Sequence, residues 1–255
     1  MSKWRPSEEC LYVIPDIHGQ LYQLELILSR ILPLRKRNGF RDKIIFLGDY
    51  VDRGSYSPDV IDKLVDLKEK YNDQVVCLIG NHELMFMDAI GNSESSDDYL
   101  IWMQNGGYNT LVSYLDRANY KLDNPYVLDR RRVKDFIPLK HIEFIKKLQP
   151  YYETDDFIFV HGGCDPYTKL SEQDPKTLVW DRSLFNKIVK NPYFDYEWEK
   201  CIITGHNCYS KAPLITPKFM MLDSSCNNEL IVIELNSMEG FVAEKGNKKM
   251  NKLIF

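Results

Sequence analysis

The chain has 255 residues, with 33 Lys and Arg against 37 Asp and Glu, and a formal net charge of −4. That balance gives no global electrostatic reason to expect a nucleic-acid partner, and no stretch of about 18 apolar residues is present to cross a membrane. A hydrophobic fraction of 44% is ordinary for a soluble chain and sufficient for a sizeable core, so one domain over residues 1–255 is expected.

Met1 to Cys10 is polar and has no apolar segment of the secretory type, which points to the cytoplasm. Apolar runs of strand length then recur: Leu11–Ile14, Lys43–Leu47, Val75–Ile79, Phe157–Val160, Cys201–Thr204, Phe219–Leu222 and Leu230–Leu235. Between the first two, Leu21, Leu24, Leu28 and Ile31 follow helical spacing that stops before Pro33. Between the second and third, Val60, Ile61, Leu64 and Val65 do the same behind Pro58. Strand, helix, strand, helix, strand predicts an α/β domain with parallel pairing.

Residues 85–149 read as a mainly helical insertion that helps to roof a site. It holds an acidic, serine-rich patch at Asn92–Asp98 and a helix around Leu139, Ile142, Ile145 and Leu148. The polar stretch Asp223–Glu229 is short enough to join the last two strands as an antiparallel hairpin. The basic runs Arg130–Arg132 and Lys248–Lys249 read as solvated surface. The six cysteines form no Cys-x-x-Cys pair, and Cys77 and Cys201 lie inside apolar runs, which fits a reducing compartment.

The turns at the ends of the apolar runs carry the chemistry. Pro15-Asp16-Ile17-His18-Gly19 comes after the first, Gly48-Asp49-Tyr50-Val51-Asp52-Arg53-Gly54 after the second and Gly80-Asn81-His82-Glu83 after the third. His161-Gly162-Gly163 and Gly205-His206-Asn207 come after two later ones. Ligands bind outside the carboxyl ends of strands in open α/β sheets, and glycines let such turns approach a ligand closely. Four of the five histidines sit in these turns, which concentrates imidazole where carboxylates and an amide also converge. The fifth, His141, reads as a surface or satisfied helix residue. A donor set of carboxylate, amide oxygen and imidazole without thiolate suits Mn, Fe or Zn better than Ca or a structural zinc.

These motifs, Asp-x-His, Gly-Asp-x-x-Asp-Arg-Gly, Gly-Asn-His-Glu, His-Gly-Gly and Gly-His, resemble the metallophosphoesterase superfamily, specifically its phosphoprotein phosphatase (Ser/Thr phosphatase) branch. The resemblance runs from about Tyr12 to Leu235. It is closest to bacterial and phage enzymes through Trp102–Tyr114 (Trp-x-x-Asn-Gly-Gly-x-x-Thr-Leu-x-Ser-Tyr), His161-Gly-Gly-Cys-Asp-Pro166 and Val179-Trp-Asp-Arg182. It implies a calcineurin-like β-sandwich of mixed sheets flanked by helices. It also implies hydrolysis of phosphate monoesters on Ser/Thr, with Tyr as a further option, by direct in-line attack of a water activated by two divalent ions, manganese first and iron or zinc as substitutes.

Carried over to this chain, the resemblance implies that Asp16 and His18 hold one ion, that Asp49 bridges both, and that Asn81, His161 and His206 complete the second. His82 is then the general acid and Asp52 its orienting partner, while Arg53, Asn81 and Arg182 contact substrate phosphate. Arg182 has a second reading as a surface arginine that begins a helix over Ser183–Val189, and Glu83 reads as a support for its turn. Cys164 reads as a small buried thiol beside the site.

The segment Leu222-Asp-Ser-Ser-Cys-Asn-Asn228 departs from the Ser-Ala-Pro-Asn-Tyr-Cys type of eukaryotic members, so regulatory subunits are not expected. The expected partner is a phosphorylated protein or peptide, with neither membrane nor nucleic acid. Two alternatives stand beside it: a nucleotide or RNA-end phosphoesterase such as a dinucleoside polyphosphate hydrolase, and a non-catalytic binding protein.

Overall fold

Apolar runs become strands buried on both faces, because two sheets stack and helices cover their outer sides. The computed structural model describes residues 10–37, 40–91, 96–122, 128–209 and 212–253. In chain order the strands are β1 (Leu11–Ile14), β2 (Lys36–Arg37), β3 (Phe40–Arg41), β4 (Lys43–Phe46), β5 (Val75–Cys77), β6 (Tyr151–Glu153), β7 (Phe157–Val160), β8 (Cys201–Thr204), β9 (Leu214–Ile215), β10 (Phe219–Met221), β11 (Glu229–Glu234), β12 (Glu239–Glu244) and β13 (Met250–Leu253). The α-helices are α1 (Leu21–Ile31), α2 (Ser57–Tyr71), α3 (Asn81–Ile90), α4 (Ser96–Trp102), α5 (Tyr108–Arg117), α6 (Arg130–Val133), α7 (Leu139–Lys146), α8 (Pro175–Trp180) and α9 (Ser183–Lys190).

One sheet has the order β13-β12-β11-β1-β4-β5 and the other β6-β7-β8-β10-β9. β1, β4 and β5 are parallel, as are β7, β8 and β10, while β11 returns antiparallel to β1. The sheets are therefore mixed, and the strands that precede the motif turns are the parallel ones.

Side chains alternate along a strand, so each run feeds two cores. Leu11 and Val13 of β1, with Ile45 of β4 and the following Leu47, meet Phe157, Phe159, Cys201 and Ile203 between the sheets. Ile14, Ile44 and Phe46 turn the other way, onto Leu24 and Ile27 of α1 and Val60, Ile61 and Leu64 of α2. Ile158, Val160 and Ile202 pack outward on Leu178 of α8 and Leu184 and Ile188 of α9.

Two sequence expectations change here, and one that had two readings is decided. The expected hairpin does not form: β10 pairs with β8 and β9, whereas β11 pairs with β1 and β12. The connection instead crosses between the sheets, burying Asp223 and Ser224 on the way. His141 follows the second of its two readings, a satisfied helix residue. It is sealed, with Nδ1 2.8 Å from Tyr114 Oη and Nε2 2.9 Å from Asp62 Oδ1, so α7 is tied to α5 and α2. Cys208 and Cys226, 18 positions apart with Cα atoms 5.6 Å apart, form a disulfide that the reducing-compartment reading did not foresee.

The helical segment starts at Asn81, four residues before the expected boundary, because α3 begins directly at the motif. Positions 92–95 of the acidic patch lie outside the described residues. Among the described residues no helix is long and apolar enough to cross a membrane.

Candidate metal centre

Five turns from the carboxyl ends of β1, β4, β5, β7 and β8 meet at one edge of the stacked sheets, and their backbones are held in unusual conformations. His18 (φ 45°), Asp49 (φ 55°), Asp52 (φ 70°), Arg53 (φ 64°) and His206 (φ 62°) are all left-handed non-glycine residues. Such geometry costs on the order of 1–3 kcal/mol per residue and persists where the surroundings over-determine it. The turns pack too tightly for side chains at several of their glycines. A Cβ on Gly80 would meet the Asp49 side chain and backbone, and one on Gly205 would meet the Asp16 carboxylate.

Asp49 is the hub. Its Oδ2 faces His18 Nε2 at 3.5 Å and His82 Nε2 at 3.8 Å, while its Oδ1 faces His161 Nε2 at 3.3 Å. Two groups of donor atoms result, His18–Asp49–His82 and Asp49–His161–His206, each spanning no more than 4.8 Å and sharing only Asp49. Asp16 stands beside them, with both carboxylate oxygens accepting from the His206 amide at 3.0 and 3.1 Å. Asn81 Oδ1 lies 3.0 Å from His161 Nε2.

The imidazoles are prepared for cations by their far nitrogens. His18 Nδ1 donates to the Val51 carbonyl at 2.9 Å, and His161 Nδ1 donates to the Leu47 carbonyl at 2.9 Å. That anchoring fixes the ring orientation and turns both Nε2 atoms towards the Asp49 carboxylate. His18 Nε2 is buried without any hydrogen-bond partner, an orphan that a cation would satisfy. His161 Nε2 faces two oxygen acceptors. Burial disfavours its charge, yet the neighbouring Asp49 carboxylate outweighs this and lifts its pKa to about 10. Nitrogen and oxygen donors without thiolate, around a shared buried carboxylate, fit a pair of divalent ions.

His82 is partnered differently. Nδ1 lies 2.8 Å from Asp52 Oδ2, and Nε2 lies 3.1 Å from Arg53 Nη2. Burial works against its charge, but Asp49 and Asp52 together raise its pKa above the ordinary histidine value. Arg182 Nε donates to His206 Nε2 at 3.0 Å, while the residue itself is exposed and caps the start of α9, so this surface arginine also reaches a site histidine. Burial and then the neighbouring His161 push the His206 pKa down to about 3.

Glu83 contacts no imidazole and serves the backbone. Its carboxylate accepts from the amides of Asp49 (2.8 Å), Gly80 (3.0 Å), Tyr50 (2.7 Å) and Val51 (3.2 Å). Cys164 is buried, and burial raises its thiol pKa to about 12. Three residues escaped the sequence reading. Asp223 is buried, and its charge raises the Asp16 pKa on top of burial. Trp102 Nε1 and Thr110 Oγ1 donate to Asp52 Oδ1 at 2.9 and 2.8 Å. Both lie in the Trp102–Tyr114 motif, so a signal existed without a role attached to it.

Among protein families, that described as calcineurin-like phosphoesterase matches residues 11–210. The serine/threonine-protein phosphatase PP1-1 of Saccharomyces cerevisiae is 42% identical over 84 residues, covering 32% of this chain and 25% of that protein, so the chain spans about a quarter of that relative's length. Among solved structures, a protein serine/threonine phosphatase from Saccharomyces cerevisiae with similarity to human phosphatase PP5 superposes with TM-score 0.57 at 16% identity, over 97% of this chain and 80% of that one. A putative diadenosine tetraphosphatase superposes with TM-score 0.55 at 17% identity, over 96% and 92% of the two chains. At such identities these two likenesses establish the fold alone.

Proposed function

This chain belongs to the calcineurin-like phosphoesterase family, and on that premise we propose that it is a phosphoprotein phosphatase acting on phosphoserine and phosphothreonine, with phosphotyrosine as a secondary substrate. The observation that carries this reading is Asp49, the one carboxylate common to both donor groups. The substrate class draws its support from the partial identity to a serine/threonine phosphatase and from the Asp52–His82–Arg53 array beside the donors.

We assign Asp16, His18 and Asp49 to one divalent ion, keeping His82 of the first donor group as the acid because Asp52 and Arg53 engage both its ring nitrogens, and Asp49, Asn81, His161 and His206 to the other. When bound, such a pair supplies Lewis-acid activation of water and neutralises phosphoryl oxygens. These donors suit manganese, iron or zinc, and manganese is taken first on the family resemblance.

The remaining work belongs to side chains. Arg53 and Arg182 grip the non-bridging phosphate oxygens through guanidinium forks, which a lysine does not reproduce, and the Asn81 amide faces the same space. His82 keeps one proton on Nδ1 against Asp52 and delivers a second from Nε2 to the leaving alkoxide. Serine and threonine alkoxides are too basic to depart unprotonated, so this transfer is required. Asp52 offsets the imidazolium charge while the proton is held. Displacement is direct and in line, with no phosphoenzyme.

The test is turnover of a phosphopeptide panel against dinucleoside polyphosphates and 2′,3′-cyclic nucleotides, with Mn, Fe, Zn and Mg supplied separately. Preference for phosphoserine and phosphothreonine peptides is expected. A strong preference for either nucleotide class overturns the protein-phosphatase assignment, and an ion-loaded protein inert towards every monoester favours a binding role instead.

A further inference from the structure

The helical segment after α3 carries a motif whose residues all converge on one corner of the site. Trp102 closes α4, Thr110 lies in α5, and the wider π-type turn Met103–Gly107 joins them. Thr110 Oγ1 donates to Asp52 Oδ1 at 2.8 Å, accepts from the Asp52 amide at 2.7 Å and lies 2.9 Å from Ser57 Oγ. A hydroxyl has one donor and two acceptor sites, so these contacts saturate it. Trp102 Nε1 donates to the same Oδ1 at 2.9 Å. Asp52 Oδ1 is thereby held by two side chains of this segment, leaving Oδ2 to His82 Nδ1 at 2.8 Å.

The rest of the motif holds the neighbouring residue. The Arg53 amide donates to the Gly106 carbonyl at 3.1 Å, and Asn109 Nδ2 donates to the Arg53 carbonyl. Gly106 is left-handed (φ 106°), and a Cβ there would meet Arg53 Cγ at 2.8 Å and Arg53 N at 2.9 Å. A Cβ on Gly107 would run into the Trp102 indole. The two successive left-handed residues Asp52 and Arg53 therefore have both amides and the Arg53 carbonyl satisfied by this one segment, while the Asp52 carbonyl accepts from the Gly54 amide at 2.7 Å, which is how so strained a turn persists.

We propose that Trp102 and Thr110 are positioning residues for the proton transfer, acting by orienting the Asp52 carboxylate, and through it the His82 ring, towards the leaving oxygen. The inference rests on the acid role given to His82 above. Neither side chain touches the reacting atoms; both lock a charge-assisted hydrogen bond whose direction sets where His82 Nε2 points. The helical segment thus does more than roof the centre, because it supplies two of the three side-chain donors to the acid's partner.

The test compares Trp102→Phe, which removes only the N–H, Thr110→Val, which removes the hydroxyl at nearly constant shape, and Thr110→Ser, which restores it. Each is assayed on an alkyl phosphomonoester peptide and on p-nitrophenyl phosphate, whose leaving group departs without a proton. Taking the ratio of the two activities in one sample removes any dependence on the folded or ion-loaded fraction.

The expected result is a ratio lowered about 10–10²-fold in Trp102→Phe and Thr110→Val, with Thr110→Ser near the parent value. An unchanged ratio in both, while His82→Asn and Asp52→Asn lower it, overturns the positioning role and leaves the acid assignment standing. An unchanged ratio in all four overturns the acid assignment and this inference with it.

Discussion

Glu83 Oε2 accepts a hydrogen bond from the Asp49 amide at 2.8 Å, so a carboxylate from one motif sets the backbone of another. The same side chain holds Gly80, Tyr50 and Val51, four amides in all on two buried oxygens. Glu83→Gln keeps the size but turns an N–H₂ towards amide donors. Hydrogen bonds to charged groups contribute about 1.5–3 kcal/mol each, and an unsatisfied buried group costs more. The variant is expected to lose about 2–4 kcal/mol of stability and part of its bound metal, as measured by denaturant unfolding and elemental analysis. Parent-like values for both quantities would count against this support.

His82 has both ring nitrogens engaged by Asp52 and Arg53, unlike His18 with its orphaned Nε2. A proton donor can be removed without removing a ligand. His82→Asn should therefore lower turnover of phosphoserine peptides about 10²–10⁴-fold at parent-like metal content. If that variant loses its ions instead, His82 is a ligand and the acid must be sought elsewhere.

Asp49 separates two donor groups that have no other residue in common. Asp49→Asn removes a full negative charge from the point shared by both, so occupancy of both sites should fall together. Titration with Mn followed by elemental analysis reads this directly. Loss of one ion with the other retained at parent affinity would assign Asp49 to a single site.

How much of this was visible beforehand depended on how local the cause was. β1, β7 and β8 begin and end where the sequence placed them, because a run buried on both faces is apolar almost throughout. β12 was missed because Glu239, Gly240 and Glu244 interrupt its apolar pattern, although the strand lies inside the sheet between β11 and β13. The β10–β11 hairpin was a wrong inference from short spacing, since chain proximity does not say which sheet a strand joins. Within the site, each motif turn lies next to its own strand, so the convergence of His18, Asp49, Asn81, His161 and His206 followed from placement alone. The contacts of Asp52 did not, because Trp102 lies 50 positions away and Thr110 lies 58 away.

Asp62 offers a prediction outside the site. From α2 it accepts from His141 Nε2 at 2.9 Å and pairs with Lys140 of α7 and Arg117 of α5, joining three helices. Burial alone would raise its pKa, but the hydrogen bonds from Lys140, His141 and Arg117 outweigh this and hold the carboxyl well below its ordinary value. A depressed folded-state pKa stabilises the fold above the unfolded value of about 3.9 and loses that contribution as pH falls towards the folded value. Lys140 and Arg117 are 56% and 41% exposed, so solvent screens their share and the buried His141 contact dominates. Asp62→Asn should therefore cost about 1–3 kcal/mol at pH 7, with the gap to the parent narrowing as the pH is lowered below about 4. Denaturant unfolding of both proteins, stripped of metal so that ion binding does not contribute, checks this at pH 7, 5 and 3.5. A gap that stays constant across that range would show that the cluster contributes shape alone and no charge.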